Sequence, residues 1–343
     1  MNLKELSHML GLSQTTVSRA LNGYPEVSEA TRKRVVAAAE AHNYRPNPRA
    51  QGLATGHSRC IGHVISAKHS VETVNPIFGD FMAGAGETYA RHGYEMMLTR
   101  VDAEGEADAY RNLKARGAVD GVVVHAPCMD DPRLPVLHEI GLPFVVHGRV
   151  SGARTPYDWL DVNNRRAFYE VTQYLLSLGH RRIALINGHE EMDFAMRRRT
   201  GFEGAMRDAG VPIDADLMVA GEMTEGHGYQ NAHRMLGQSA PPTAFLVSSI
   251  ISALGVRRAL DARGLRVGQD VSIATFDDCI SYLQNGSDTP VFTAARSSVR
   301  AAGASLAEML INRIQNPQAD PATRLWEAEF VVGASTGPGP TRP

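Results

Sequence analysis

From residue 60 onward, short apolar runs alternate with segments of helical periodicity. The runs rich in Val, Ile, Leu and Ala have the length of buried strands, at Ile61–Ile65, Tyr94–Val101, Gly121–Ala126, Pro143–Gly148, Arg182–Asn187, Leu217–Gly221, Thr243–Ser248 and Val271–Asp277. Helical patterns fall between them, at Pro76–His92, Asn164–Leu178, Met192–Ala209, Glu225–Leu236 and Ile250–Arg263. Strands that alternate with helices predict doubly wound α/β folds with parallel sheets covered on both faces.

This part of the chain is long for a single sheet, at roughly 280 residues, so we predict two lobes. The boundary between them is expected near Asp158–Asn163. Doubly wound sheets bind ligands in the crevice beyond the carboxyl ends of their strands. Candidate ligand residues stand at such ends: His125 at one strand, His147-Gly148-Arg149 at the next, and Asp277-Asp278 at another.

The start of the chain carries a different, all-helical pattern. Leu3, Leu6 and Leu10 recur at helical spacing, Asn2 suits an N-cap, and Gly11 can adopt the conformation that ends a helix. The segment therefore begins with a short amphipathic helix.

A second and a third short helix follow. We expect the second between the N-cap Ser13 and about Asn22, and the third from Ser28 to His42. The polar side of the second helix is formed by Gln14, Thr15, Ser18, Arg19 and Asn22. Gln can bond adenine and Arg can bond guanine, so this layout predicts a helix-turn-helix that reads a DNA groove. The alternative is an ordinary three-helix bundle with solvated charges.

Charge separates the two parts of the chain. Residues 1–60 contain eight Lys and Arg against four Asp and Glu, a net charge of +4, whereas the whole chain carries −2. A basic head on an acidic body favours a head that meets phosphates.

The segment Gly11–Gly23, with Val27-Ser28, Thr31-Arg32 and Asn43–Asn47, resembles the DNA-binding signature of the LacI/GalR repressor family, and the resemblance continues over nearly the whole chain. It implies three parts: a helix-turn-helix head at 1–44, a hinge linker at 45–58 that becomes helical on DNA, and at 59–343 a two-lobed, periplasmic-binding-protein-like core for effector binding and dimerisation. The implied partners are double-stranded DNA with a palindromic operator, a small sugar effector and a second copy of the chain.

The resemblance also implies which residues meet DNA. The expected set is Leu3, Ser13, Gln14, Thr15, Thr16, Ser18, Arg19, Asn22, Ser28, Thr31, Tyr44, Asn47, Ala50 and Leu53. Leu53 matches the family's lever residue, which wedges into a base step from the minor groove. The alternative for Leu53 is a loop leucine that covers the core. Gly52 weakens a hinge helix by about 1 kcal/mol relative to Ala, which suits a segment ordered only by DNA.

Carried over in the same way, the effector pocket comprises Phe78, His125, His147, Arg149, Arg198, Met223, Ser249, Asp277 and Arg296. Arg and Asp form charge-assisted bonds to hydroxyl groups, and an aromatic ring can stack on a sugar. The alternatives are that Arg198 is one of three adjacent surface charges, that Asp277 caps a loop, and that His125 and His147 are core histidines.

Two departures from the family bear on the ligand. Ser249-Ile250 stands where the family usually has an acid in second place, and Arg296 stands where an amide is common. The additional cation favours a charged sugar, such as a sugar phosphate or a uronate.

A narrower resemblance links Pro143–Arg149, Tyr157–Asn164 and Leu325-Trp326 to the proteobacterial branch of alpha-glucoside and trehalose repressors. It implies a disaccharide or glucoside effector. The family fold also carries the end of the chain back into the first lobe, through crossovers that we place near Thr289–Arg296 and Asp320–Leu325.

The sequence gives little support for a disulfide-rich protein, a zinc protein, a secreted or membrane protein, or an enzyme. Three scattered cysteines, Cys60, Cys128 and Cys279, form neither a disulfide framework nor a zinc site. The start has no signal-peptide pattern and no apolar run approaches 18 residues, so we expect a cytoplasmic protein without a membrane partner. His189-Glu190-Glu191 lacks the second His of a zinc protease, and Gly84-Ala85-Gly86 lies inside a predicted helix. We expect no cofactor, no metal and no catalysis.

Two hypotheses follow. The first is a dimeric, sugar-responsive transcriptional regulator, a repressor in the usual family mode or else one that needs a corepressor or activates; the Gly/Pro-rich tail Gly333–Pro343 has no leucine-heptad helix for a tetramer. The second is a sugar-binding protein or sugar-metabolising enzyme whose first helices are structural. The second predicts no salt-sensitive binding to DNA.

Overall fold

The computed structural model describes residues 1–45, 56–66, 75–102, 105–286 and 288–340. The chain divides into two compact units, of which one comprises Met1–Arg59 with Arg116–Val119 and the other comprises Cys60–Ala115 with Asp120–Pro343. The hinge residues Asn47, Ala50, Gly52 and Leu53 lie outside the described residues, so their roles stay predictions.

In its described residues, the first unit contains three short helices at the predicted places. They are α1 (Leu3–Leu10), α2 (Gln14–Leu21) and α3 (Glu29–Ala41). Asn2 and Glu5 form a capping box, in which each side chain accepts the backbone N–H of the other at 3.0 Å. Gly11 ends α1 with a φ of 64°, a left-handed conformation that favours glycine.

A small apolar core joins these helices. It consists of Leu6, Val17, Ala20, Val27, Val35 and Ala39, all buried. Val17 and Ala20 on α2, and Val35 and Ala39 on α3, recur at helical spacing, so the polar faces of these two helices are left on the outside.

The second unit contains two sheets of six strands. The first sheet has strands β1 (Cys60–Ser66), β2 (Glu95–Val101), β3 (Gly121–Val124), β4 (Phe144–His147), β5 (Asp158–Val162) and β11 (Thr323–Trp326), in the order β11-β5-β4-β3-β1-β2, with every neighbouring pair parallel. Four helices belong to it, α4 (Pro76–Arg91), α5 (Glu106–Ala115), α6 (Arg133–Glu139) and α11 (Val299–Gln315). We call this sheet with its four helices the first lobe.

The second lobe repeats the arrangement. Its strands are β6 (Ile183–Asn187), β7 (Met218–Ala220), β8 (Ala244–Val247), β9 (Ser272–Asp277), β10 (Thr293–Arg296) and β12 (Glu329–Val331), in the order β12-β10-β9-β8-β6-β7. Only the β10–β12 pair is antiparallel. The helices are α7 (Asn164–Ser177), α8 (Asp193–Asp208), α9 (Glu225–Leu236) and α10 (Ile250–Asp261), with a 3₁₀ turn at Ala215–Leu217.

Both lobes therefore have the predicted doubly wound α/β topology. In each sheet the strand order reverses at one place, between β1 and β3 in the first lobe and between β6 and β8 in the second. Fully buried strands such as Gly121–Val124 and Ala244–Val247 form the middle of the sheets, which explains their continuous apolar sequence. A ligand crevice is expected at the carboxyl ends of the strands beside each reversal.

The two crossovers near the end of the chain lie a few residues later than predicted. Thr293–Arg296 is still paired with β9 in the second sheet, and the chain enters the first lobe only with α11. Thr323–Trp326 pairs with β5 in the first sheet, and the chain returns to the second lobe after Trp326. Both segments extend a sheet, so the crossings fall in the short links that follow them.

None of the helices in the described part of the chain is long and apolar enough to cross a membrane.

Candidate DNA-reading helix and interlobe cleft

The polar side of α2 faces outward, as the sequence predicts. Gln14, Thr15 and Arg19 are exposed, whereas Val17 and Ala20 on the opposite side are buried in the core of the first unit. Amide and guanidinium groups on one exposed helix face have the donors and acceptors that read adenine and guanine in the major groove.

Other predicted DNA contacts cluster at helix starts. The Ser13 hydroxyl accepts the backbone N–H of Thr16 at 3.0 Å, and the Ser28 hydroxyl accepts that of Thr31 at 3.3 Å. These caps order the first turns of α2 and α3, where the remaining N–H groups and the helix dipole favour a phosphate.

Three further candidates have roles within the first unit. Leu3 and Tyr44 are half-buried and pack against its apolar core, and burial raises the pKa of the Tyr44 hydroxyl. The Asn22 side-chain amide donates to the Ser18 hydroxyl at 3.4 Å at the end of α2. Their predicted contacts with DNA are therefore additional to a structural role.

In the second unit, a cavity of about 190 Å³ lies between the two lobes at the carboxyl ends of the strands. His147, Arg198 and Met223 are the predicted effector residues that line it. The polar and aromatic side chains around the cavity also include Asp161, Asn164, Phe194, Ser248, Phe276, Asp278, Ser297 and Ser298.

Arg198 is the central side chain of this cavity. It is only 5% exposed, its Nε donates to Asn164 Oδ1 at 2.8 Å, and one Nη donates to the Ser248 carbonyl at 2.6 Å. Its guanidinium carbon lies 4.1 Å from the centroid of the Phe276 ring. Burial lowers its pKa to about 10, so the group remains a cation at neutral pH. Arg198 is thus not a surface charge.

Of the two adjacent acids after β9, Asp278 lines the cavity and the predicted Asp277 does not. Asp277 Oδ1 accepts the backbone N–H of Cys279 at 2.8 Å, which caps the loop after β9. Burial raises the pKa of Asp278 to about 7, while the charge of Arg198 opposes that rise. A carboxyl group in this range can both donate to and accept from a hydroxyl group.

The same one-residue difference occurs after β8. Ser248 lines the cavity, whereas the predicted Ser249 is the N-cap of α10 and accepts the backbone N–H of Ile251 at 3.2 Å. Both residues lie beyond the end of β8 at Val247, where the loop conformation places Ser248 in the cavity wall and Ser249 at the start of α10.

Arg149 acts on the cavity through Asp161. Its Nε donates to Asp161 Oδ2 at 2.8 Å, and its guanidinium lies 5.2 Å from the centroid of the Trp159 ring. Burial raises the pKa of the Asp161 carboxyl, and Arg149 counteracts the rise. Arg149 itself is not among the lining residues, so it holds Asp161 in place.

Arg296 does not supply the cation that the sequence analysis assigned to the pocket. Its guanidinium lies 3.7 Å from the carboxylate of Glu329 on β12, and the residue is absent from the cavity wall. Among the described lining residues, Arg198 is the one basic side chain that stays charged at neutral pH, and it faces two acids, Asp161 and Asp278. The reason for expecting a charged sugar is therefore removed.

His125 is a core histidine. Its Nε2 lies 2.9 Å from His63 Nδ1, and the Phe78 ring packs edge-on against it at 5.2 Å. Neither His125 nor Phe78 lines the cavity. His147, which does, stacks on Phe81 at 4.7 Å, and burial lowers its pKa to about 4. It meets a ligand as a neutral imidazole.

A helix-turn-helix unit in one chain with a two-lobed core that encloses a cavity defines a DNA-binding transcriptional regulator. Comparisons with known proteins give the same class. Residues 2–47 match the bacterial regulatory proteins of the lacI family, and residues 172–336 match the periplasmic binding protein-like domain. The HTH-type transcriptional regulator AglR of Rhizobium meliloti (strain 1021) is 45% identical over 99% of this chain and 96% of its own.

Two solved structures cover almost the whole fold. The lac repressor dimer bound to operator and the anti-inducer ONPF is 26% identical with a TM-score of 0.83, over 98% of this chain and 99% of its own. The transcriptional regulator CelR–cellobiose complex is 27% identical with a TM-score of 0.70, over the same shares. The chain belongs to the LacI family of helix-turn-helix transcriptional regulators.

Proposed function

We propose that this regulator is a dimeric repressor whose affinity for a palindromic operator is controlled by a sugar or sugar derivative bound between its lobes. The observation that carries the proposal is the cavity itself, where buried Arg198 is stacked on Phe276 and faces the carboxyl groups of Asp161 and Asp278. Charged donors and acceptors that converge in one enclosed space suit a ligand with many hydroxyl groups.

The charge of the cavity favours an uncharged sugar. Arg198 already donates to two protein acceptors, and the carboxyl groups of Asp161 and Asp278 disfavour an anionic ligand beside them. The solved complex of the related CelR holds cellobiose, an uncharged disaccharide, which supports the same class of ligand.

The proposed division of labour follows the three parts of the chain. Residues 1–44 bind the operator through α2, residues 45–58 form the hinge, and residues 59–343 bind the effector and dimerise. A palindromic operator requires two heads related by a two-fold axis, and the related lac repressor was solved as a dimer on its operator. Because its proposed target is chromosomal DNA, the protein is placed in the cytoplasm.

The effector must bind two arrangements of the lobes with different affinity, because a ligand shifts an equilibrium only by that difference. In the proposed mechanism, the sugar favours the arrangement in which the hinges of the two subunits separate. The heads then lose their fixed spacing, and the operator is released.

The test is a selection of genomic DNA fragments by the purified full-length protein at moderate salt. We expect enrichment of a palindrome whose binding weakens when one uncharged sugar of a panel is added. Binding that strengthens with the sugar would assign the corepressor mode. No enrichment over bulk DNA, with or without any sugar of the panel, would overturn the proposal.

A further inference from the structure

Two Asp–Ser pairs connect the lobes across the cleft. Ser151 of the first lobe donates its backbone N–H to Asp193 Oδ2 of the second lobe at 2.8 Å and its hydroxyl to the same oxygen at 2.5 Å. Ser281 of the second lobe donates its backbone N–H to Asp80 Oδ2 of the first lobe at 3.1 Å and its hydroxyl to Asp80 Oδ1 at 2.6 Å. Each carboxylate therefore binds both donors of a serine in the opposite lobe.

The two pairs occupy equivalent places in the repeated topology. Ser151 follows the last residue of β4 by four positions, and Ser281 follows the last residue of β9 by the same four. The acids stand on α4 and α8, which are the first helices after the equivalent strands β1 and β6. Each lobe thus supplies one acid and one serine to these contacts. The acids differ in position, since Asp193 is the first residue of its helix and Asp80 is the fifth.

Each acid is also held by an arginine of its own lobe. Arg197 contacts Asp193 through its Nε and donates to the Ser151 hydroxyl at 2.9 Å. Arg300 lies 3.4 Å from both Asp80 Oδ1 and the Ser281 hydroxyl. The carboxylates are consequently fixed before the opposite serine arrives, which reduces the entropy lost when the pair forms.

Because both acids are buried, breaking either pair during a movement of the lobes costs free energy. Asp193 is 1% exposed and Asp80 is 7% exposed. A buried carboxylate that loses a donor is destabilised unless water reaches it, so separation of the lobes at either pair has a free-energy cost.

We propose that Asp193–Ser151 and Asp80–Ser281 are coupled latches that hold the lobes in this arrangement and open together when the lobes rearrange. Each lobe moves as a unit because its sheet is continuous, so loss of one latch loosens the other across the cleft. The inference deepens the proposed function, since it assigns the contacts that a sugar-driven rearrangement must break.

Hydrogen exchange tests the coupling in the free full-length protein, without DNA or sugar. The backbone N–H of Ser151 and that of Ser281 each report on one latch. We would compare Asp80→Ala and Asp193→Ala with the wild type by mass spectrometry of peptides that contain these two serines. Asp208→Ala is the matched control, because Asp208 also lies on α8 but accepts the Tyr169 hydroxyl within the second lobe at 2.9 Å.

Asp80→Ala is expected to accelerate exchange at Ser151 by about tenfold, and Asp193→Ala is expected to do the same at Ser281, while the control changes neither. Unchanged exchange in β3 and β8 shows that the variants are folded; if either alanine variant exchanges globally, the Asp→Asn variant at that position carries the same test. If each substitution affects only its own serine, the pairs are independent local contacts and the proposal is wrong. Because neither DNA nor sugar is present, this outcome is separate from any failure of the proposed function.

Discussion

The guanidinium carbon of Arg198 lies over the Phe276 ring, 4.1 Å from the ring centroid. Phe168 and Phe194 lie near the same cation, at 5.1 and 5.0 Å. Aromatic rings stabilise a buried cation, and the hydrogen bonds that it makes away from bulk solvent are stronger than in water. Arg198 is therefore the side chain on which effector binding most depends.

Arg198→Ala is expected to weaken sugar binding by about ten- to a hundredfold, because hydrogen bonds to a charged group contribute about 1.5–3 kcal/mol. Operator affinity without sugar is expected to stay at the wild-type value. Titration calorimetry and DNA binding measure the two quantities. The matched control is Arg199→Ala, whose guanidinium pairs with Glu190 and Glu203 outside the cavity. Wild-type sugar affinity in Arg198→Ala would refute the assigned pocket.

Arg19→Ala is expected to abolish most discrimination between operator and scrambled DNA, with a loss of about 1–3 kcal/mol on the operator alone. The reason is that Arg19 is exposed on the polar side of α2. Lys33→Ala is the control: it removes the same charge from the neighbouring helix α3 and should weaken binding to operator and to scrambled DNA alike. Competition binding at constant salt gives the two ratios, and an unchanged ratio in Arg19→Ala would contradict base reading by this residue.

Asp278→Asn is expected to stabilise the protein relative to the wild type, and to do so more at pH 8 than at pH 5. In the unfolded chain an Asp carboxyl ionises at about pH 3.9, whereas burial raises the pKa of Asp278 in the folded protein to about 7. Between these values the folded protein holds a proton that the unfolded chain has lost, so the stability contributed by Asp278 falls as the pH rises.

Thermal unfolding of both proteins at the two pH values measures this difference. The exposed Asp261→Asn on α10 is the control and should show no such trend. A stability difference for Asp278→Asn that is the same at pH 5 and pH 8 would mean that Asp278 is ionised throughout.

Gly84→Ala is expected to destabilise the protein by about 1–3 kcal/mol, because overpacking forces packed elements apart. A methyl carbon at Gly84 of α4 would lie 2.0 Å from the carbonyl oxygen of Arg300 on α11. Gly86→Ala lies on the same helix with nothing within 4 Å and should stabilise by about 0.5–1 kcal/mol. Urea unfolding distinguishes them, and an equal shift for both would show that α4 and α11 are not closely packed.

The predicted elements of the fold could be found because the apolar residues that each one buries recur at a recognisable spacing. Glu225–Leu236 forms a helix with the predicted ends, and the buried strand Gly121–Val124 lies inside its predicted run. Strand Asp158–Val162, predicted only as a lobe boundary, forms a fifth strand because its edge is completed by Thr323–Trp326, which is distant in the sequence.

The site was less predictable because its side chains lie beyond the ends of the strands. There the loop decides direction: Gly148 and Cys279 have positive φ values of 112° and 52°, and strand periodicity no longer applies. The sequence places both acids at this strand end and only Asp277 was assigned to the pocket, whereas the residue that lines the cavity is Asp278. Its signal was the pair of adjacent acids at a strand end, and only the loop geometry distinguishes the two.

Arg296 shows the second limit, since its role depends on a partner 33 residues away. Glu329 belongs to β12, a three-residue antiparallel strand without a visible pattern in the sequence. No local rule predicts that Glu329 lies beside Arg296, so the sequence alone could not show that this arginine stands outside the cavity wall.

The most direct test of this account is a closed thermodynamic cycle on the full-length protein, using the selected operator and the sugar that releases it. The operator dissociation constant is measured with and without saturating sugar, and the sugar dissociation constant with and without operator. We predict that sugar weakens operator binding and that operator weakens sugar binding by the same factor, because coupling between two sites is reciprocal. A sugar affinity that is identical in the free and operator-bound protein would contradict control of DNA binding by the interlobe site.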